Sequence, residues 1–298
     1  MTEYRANFDA SITFGNGGGL QAQGFRLDVP GSSVTAEEVG ALLVRHLGLL
    51  MVDRVDISGL TIIAEPHKGS RGVSDVRPTG QRLVELNHVI TAGMTTYPGL
   101  PGPEIMPHLT REASQAVYAP GTEFTIDRIS MLGNTGTYLD APFHRYADGA
   151  DLAGLPLASV ADLPIVLVRL TGSTDRGIDA TALQSLDVAG RAVLLHTGWD
   201  EHWGTPGYGD PAPFVTAAAA RWLVDSGAVL VGIDSVNIDD SADGTRPAHS
   251  ILLKAGVPVL EHLTALADVP VEGARLHAAA PRITGFGTFP VRAYAVLS

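Results

Sequence analysis

Asn134-Thr135-Gly136-Thr137-Tyr138-Leu139-Asp140-Ala141-Pro142-Phe143-His144 is the stretch from which the rest of this chain is read. Gly136 permits a tight bend and Pro142 stiffens the exit, so Asp140 and His144, four apart, are held on a rigid turn. A carboxylate and an imidazole placed this way suit metal binding or acid–base work. On spacing alone the pair is equally ordinary turn chemistry, because Asp is common in turns for its own backbone hydrogen bonds.

Working outward, a second cluster runs from Asp234 to His262 (DSVNIDDSADGTRPAHSILLKAGVPVLEH). It follows an apolar strand, Val229–Ile233, and holds four aspartates within ten residues. His249 opens a short helix that Gly256 breaks, and Val257–Leu260 is a strand ending at Glu261. His249 and Glu261 therefore stand at element ends, where they can face one pocket; a solvated acidic loop beside a plain helix–strand corner fits the same spacing. His262 would point away from Glu261 if the strand continued. On the amino-terminal side, Leu86–Gly102 (LNHVITAGMTTYPGLPG) is a loop stiffened by Pro98 and Pro101, carrying His88 and Tyr97. Thr197-Gly198-Trp199 follows another strand, and its indole is either a pocket wall or core.

Residues 1–69 read as a small β-β-α-β unit. Ala6–Gly15 and Leu20–Val29 alternate as strands around the GNGGG turn, and Arg54–Ala64 is a third strand. Thr35 and Glu38 form a capping box for a helix carrying Val39, Leu42, Leu43, Leu47 and Leu50 at helical spacing. Residues 70–80 are polar and turn-rich, a linker to a domain at 81–298. There Leu83–Ile90, Phe124–Leu132, Leu163–Leu170 and Ala192–His196 read as further strands, and one clear helix runs from Pro213 to Gly227. The pattern is a mixed α/β domain with a β-rich core.

Composition excludes several functions. The 298 residues carry 20 Lys and Arg against 32 Asp and Glu, a net charge of −12, which argues against nucleic acid or an anionic membrane surface as partner. There is no cysteine, so disulfides, thiolate zinc sites, iron–sulfur clusters and a cysteine nucleophile are ruled out. Any transition metal must be held by His, Asp and Glu. No apolar run approaches 18 residues and no signal peptide is visible, so the expected setting is cytoplasmic. GNGGG lacks the Lys-Ser/Thr of a phosphate-binding loop, and neither a Gly-x-Ser-x-Gly elbow nor His-Glu-x-x-His occurs.

Read together, these stretches resemble the cyclase family that includes bacterial kynurenine formamidases and isatin hydrolase, whose signature is His-x-Gly-Thr-His-x-Asp-x-Pro-x-His. The resemblance covers roughly residues 80–298. It includes Leu86-Asn87-His88, Met94, Tyr97-Pro98-Gly99, Thr197-Gly198-Trp199, Gly232-Ile233-Asp234-Ser235 and the His249…Glu261 pair. It implies a swivelling β/β/α fold, an α/β architecture in which a barrel-like sheet packs on a helical layer. It also implies a homodimer or higher homo-oligomer. By resemblance, the metal-ligand positions fall on Asn134, Tyr138, Asp140, His249 and Glu261, and His144 matches the proton-transfer histidine. Two signature histidines are replaced, by Asn134 and Tyr138. An amide oxygen is a weak neutral ligand, and a phenol must lose its proton to ligate well. Asp140, His249 and Glu261 survive as a set for one divalent ion, Zn or Mn.

The expected function is a metal-dependent hydrolase that cleaves the C–N bond of a small cyclic or N-acyl amide. In the family's chemistry a metal-bound water is the nucleophile and His144 the proton shuttle. Asn134, His88, Tyr97 and Trp199 are the expected substrate contacts, suiting an aromatic small molecule. A metal-free cyclase or lyase using His144, Asp140 and Tyr138 for proton transfer, or a non-catalytic ligand-binding homologue, is the alternative that the sequence leaves open.

Overall fold

The structure is a computed structural model that describes residues 2–66, 80–209 and 211–297. The chain divides into two compact units, Met1–Ser74 and Asp75–Ser298. Of the expected linker at 70–80, all but Gly80 lies outside the described residues.

In the first unit, β1 (Thr2–Phe14), β2 (Gly19–Val29) and β3 (Val52–Pro66) form an antiparallel sheet in the order β2-β1-β3. The period-two alternation of β1 puts Ala6, Phe8, Ala10 and Ile12 on one buried face. Helix α1 (Ala36–His46) shares that core through Val39 and Leu43. Its start is set by the capping box: Thr35 Oγ1 accepts from Glu38 N at 3.3 Å, and Glu38 accepts from Thr35 N at 2.8 Å. The helix ends earlier than its leucine spacing suggests. Gly48 takes a left-handed conformation just past its end, leaving Leu47 and Leu50 exposed.

In the second unit, β4 (Arg82–Glu85) is followed by a separate antiparallel ribbon, β5 (Glu104–Leu109) and β6 (Ile126–Ser130), with the short α2 (Arg111–Ser114) between them. Next come β7 (Tyr138–Asp140), β8 (Ala161–Arg169), β9 (Gly177–Ile178), β10 (Ala192–His196), β11 (Phe214–Val215), α3 (Ala217–Asp225) and β12 (Leu230–Ile233). The chain closes with α4 (Pro247–Lys254), β13 (Val259–Glu261), β14 (Ala274–His277), β15 (Thr288–Pro290) and β16 (Tyr294–Leu297). Nine of these strands make one mixed sheet, ordered β15-β7-β13-β12-β10-β8-β14-β16-β4. Its centre, β13-β12-β10-β8, is parallel, and the flanks are antiparallel.

Both faces of that centre are covered, as parallel strands require. Val166, Val168, Leu195 and Val231 pack against Ala220 of α3 and Leu252 of α4. Ile165, Leu167 and Leu194 point to the other side, into a core that also takes Leu139 of β7 and Val84 of β4. Those two residues come from opposite ends of the sheet, so the sheet curls around this second core. The result is the α/β architecture expected, with a barrel-like sheet on a helical layer. Among the described residues, no helix is long and apolar enough to cross a membrane.

In the second unit, three elements differ most from their sequence reading. The strand expected at Leu83–Ile90 stops at Glu85, because its partner β16 begins at Tyr294 and the chain then turns toward β7, where His88 N donates to Thr137 Oγ1. The strand expected at Phe124–Leu132 is limited to Ile126–Ser130 by the length of its β5 partner. Helix α3 starts at Ala217, capped by Thr216, while Phe214–Val215 pairs with β9. A threonine oxygen able to accept from Ala219 N at 3.2 Å outcompetes the proline start.

Candidate active site

Strand register builds the site. β7 lies between β13 and β15, with Tyr138 opposite Glu261 and Asp140 opposite Thr288. Residues two apart on a strand share a face, so Tyr138 and Asp140 point together while Leu139 enters the core. Glu261 stands at the carboxyl end of parallel strand β13. His249 and Asp239 come from the connection leaving β12, the usual location for a site in such a sheet.

Asp140, Glu261 and Asp239 are all buried and converge on one imidazole. Asp239 accepts from His249 Nδ1 at 2.7 Å and from the backbone N–H groups of Ala248 and His249 at 2.5 and 3.1 Å. It therefore caps α4 and aims His249 at once. His249 Nε2 is left facing Asp140 Oδ2 at 3.4 Å and Glu261 Oε1 at 3.5 Å. Burial works to lower the pKa of His249, but Glu261, Asp140 and Asp239 outweigh it and push it up to about 10. Burial pushes Glu261 up to about 7, against the attraction of His249. Burial also works to raise Asp140, yet the His249 hydrogen bond and the neighbouring His144 hold it below the usual carboxylate range.

Thr288 links the two halves of the Asp140–His144 turn. Its hydroxyl donates to Asp140 Oδ1 at 2.5 Å and lies 2.6 Å from His144 Nδ1. One hydroxyl proton serves one acceptor, so the threonine oxygen accepts from Nδ1–H. The neutral His144 ring then carries its lone pair on Nε2. The turn itself, Pro142–His144, is pressed against the β15 side of the fold. Ala141 N donates to Gly287 O at 2.7 Å, and a Cβ on Gly287 would sit 2.5 Å from the His144 backbone.

Tyr138, wholly buried, donates to Glu261 Oε2 at 2.6 Å, and Ile238 N donates to Glu261 Oε1 at 2.6 Å. Burial and the Glu261 charge raise the phenol well above its ordinary pKa. His262 does not point away as an extended strand would have it. Its φ of 56° ends the strand and swings the ring to Tyr138, with Nε2 3.3 Å from the phenol oxygen. Tyr208 OH lies 2.8 Å from His262 Nδ1, and burial lowers the His262 pKa to about 3.

A cavity of about 310 Å³ opens over these groups. Tyr97, Asn134, Tyr138, His144, His249 and Glu261 all line it, joined by Leu100, Arg145, Asn237 and Arg246. Asp140 lies beneath them, fully buried. His88 and Trp199 are elsewhere. The His88 ring stacks on Trp203 with centroids 3.9 Å apart, and Trp199 lines a separate cavity of about 440 Å³ beside Thr197 and Ile178. Trp199 also donates to Tyr208 O at 2.8 Å within an aromatic cluster. Among the described residues, the titratable groups lining that larger cavity, Asp175, Arg176, Asp179 and His202, are not buried.

Sequence reading missed Thr288, Asp239, Asn237, Arg145 and Arg246. Asp239, Asn237 and Arg246 fall inside the acidic stretch already singled out. Thr288 has no local signal and is found only through its pairing with Asp140.

The donor set fits a divalent cation. Among the described residues, Asp140, His144 and His249 offer ligand atoms that all lie within 4.8 Å of one another. Three buried carboxylates against one imidazole leave uncompensated negative charge, and Asp239 behind His249 is the partner that a ligating histidine ordinarily has.

Comparison with known proteins agrees with this geometry. A family model described as Putative cyclase matches residues 84–240. The kynurenine formamidase of Erythrobacter litoralis is 31% identical over 179 residues, covering 59% of this chain and 78% of that protein. That of Geobacillus thermodenitrificans is 31% identical over 140 residues, 46% of this chain and 64% of its own length. A solved structure described as a potential metal-dependent hydrolase with cyclase activity superposes with a TM-score of 0.61 at 29% identity, covering 73% of this chain and 98% of the other. Isatin hydrolase A from Ralstonia solanacearum shares the fold, with a TM-score of 0.64 at 21% identity over 78% of this chain and 98% of that one.

Proposed function

This chain belongs to the cyclase family, and from that premise we propose that it is a metal-dependent hydrolase cleaving the C–N bond of a small cyclic or N-acyl amide. The observation that carries the reading is the meeting of His144, His249 and Glu261 on the wall of one cavity, with Asp140 buried beneath them and its carboxylate close to both imidazoles. Asp140, His249 and Glu261 would hold one divalent ion, Zn or Mn, leaving His144 free for proton transfer. Such an ion would supply Lewis-acid polarisation of the amide carbonyl and would lower the pKa of a water toward neutrality.

The chain's own residues do the rest. His144 Nε2, kept as the basic nitrogen by Thr288, takes the proton from the attacking water and returns it to the leaving nitrogen as the C–N bond breaks. Tyr138 orients Glu261 through its own proton. Asn134 and Tyr97 line the cavity as substrate contacts. His88 and Trp199 support the loops that shape it, since their rings lie outside it.

A homodimer is part of the same proposal. Ile105, Phe124, Ile126 and Ile129 are exposed on and beside the β5–β6 ribbon, and a two-stranded ribbon on its own is marginal in water. Sedimentation at several concentrations tests this; a monomer throughout refutes it.

The deciding experiment is metal content by plasma mass spectrometry, on protein purified without chelator or nickel, together with hydrolysis of an amide and lactam panel. Near-stoichiometric Zn or Mn that is lost in Asp140→Ala and His249→Ala is the expected result. Protein that stays empty with either metal added refutes the mechanism. Activity persisting in that empty protein and lost in Tyr138→Phe would transfer the assignment to metal-free proton-transfer chemistry.

A further inference from the structure

The mouth of the cavity carries positive charge that the hydrolytic reading does not use. Arg145 follows His144 directly, and Arg246 precedes the first turn of α4; both line the cavity. Arg246 adopts φ 48° and ψ 61°, a left-handed conformation that a non-glycine residue holds only when its surroundings enforce it. One of its N–H groups donates to Asp240 O at 3.0 Å. A guanidinium has five donors in a planar fork, so most of them remain for another partner.

The nearby acids have hydrogen-bond or ion-pair partners of their own, although Asp243 also feels the Arg246 charge. Asp240 pairs with Arg176 at 3.4 Å, and Asp243 accepts from Thr245 N and Oγ1 at 2.9 and 2.6 Å. The Arg145 contacts are a long hydrogen bond to Ser250 Oγ at 3.4 Å and the face of Tyr146. On the cavity floor, Glu261 is covered by Tyr138 and Ile238, and Asp140 by Thr288. In a chain of net charge −12, two arginines with no carboxylate in ion-pair contact among the described residues thus flank a cavity sized for a small molecule.

We infer that this cavity anchors a carboxylate on its substrate through Arg145 and Arg246, which narrows the proposed amide substrates to anionic ones. The inference rests on the hydrolase reading for the identity of the occupant, and on the arginines for its charge. Arginine matches a carboxylate with two parallel hydrogen bonds. Leu100 and Tyr97 add apolar wall beside it.

Calorimetric titration of the protein as purified with benzoate and with benzamide tests this, since the two probes differ in charge and little else. Benzoate is expected to bind about tenfold more tightly, the effect of a charge-assisted hydrogen bond. Arg145→Gln and Arg246→Gln should each remove most of that preference, and Arg246→Lys should restore part of it. Thermal melts and cation content establish that each variant is folded and loaded.

Equal affinities, no benzoate binding, or a preference untouched by either variant overturns the inference. An unaltered preference would mean that benzoate binds through the cation. Hydrolysis of uncharged amides by a protein indifferent to benzoate discards the anchor and keeps the hydrolase. Arginine-dependent benzoate binding in a protein that cleaves no amide does the reverse.

Discussion

Tyr138 donates its phenolic proton to Glu261 at 2.6 Å, with both side chains withdrawn from solvent. The pair exists because the two residues face each other across neighbouring strands. It gives Tyr138 a purpose as an uncharged phenol, where the signature it resembles has an imidazole. Tyr138→Phe should lower stability by about 1–3 kcal/mol, since it leaves a buried carboxylate short of a donor. Melting curves with metal analysis check this: cation content should persist, and its loss would make the tyrosine a ligand.

Thr288 is expected to act through His144. Thr288→Val removes the hydroxyl between His144 and Asp140 and should lower kcat about tenfold to hundredfold with little change in KM, as loss of a hydrogen-bond partner that orients a site histidine does. Thr288→Ser should recover most of the rate and the wild-type pH profile. Equal damage from both variants would reduce Thr288 to packing.

Gly287→Ala tests the same turn from the backbone side. An added Cβ would lie 2.5 Å from both N and Cα of His144, and neither atom belongs to a flexible side chain that can yield. Overpacking of this kind typically costs about 1–3 kcal/mol. Reduced stability together with reduced activity is expected in urea unfolding and rate assays, and a fully active variant would show that the turn tolerates movement.

Asp234 gives a pH signature away from the proposed cation ligands. Burial raises it to about 6, although Thr197 and Gly198 supply four hydrogen bonds to its carboxylate. Its folded pKa exceeds its unfolded value, so the native state binds the extra proton between pH 4 and 6. Its contribution is therefore greatest below pH 4, declines as pH rises to 6 and is level above. The decline is roughly 3 kcal/mol or less. Relative to wild type, Asp234→Asn should flatten that slope in urea titrations across the interval, and parallel profiles would refute the assignment.

What the amino-acid order determined by itself was local. The period-two burial of Ala6, Phe8, Ala10 and Ile12, the Thr35–Glu38 box and the apolar run Ala192–His196 depend on residues a few positions apart, and each is written where it acts. The Asp140–Pro142–His144 turn was legible for the same reason. Tertiary structure alone decided the company those residues keep. Thr288 meets Asp140 across 148 positions because two short strands happen to be neighbours in one sheet, and nothing near either residue announces that register. Likewise, Trp199 and His88 stand beside other aromatic rings and outside the cavity, while Arg145 and Arg246 line it. Periodicity tells which way a side chain faces its own element. Which partner it finds there is set by strand order and loop closure, and these depend on the whole chain.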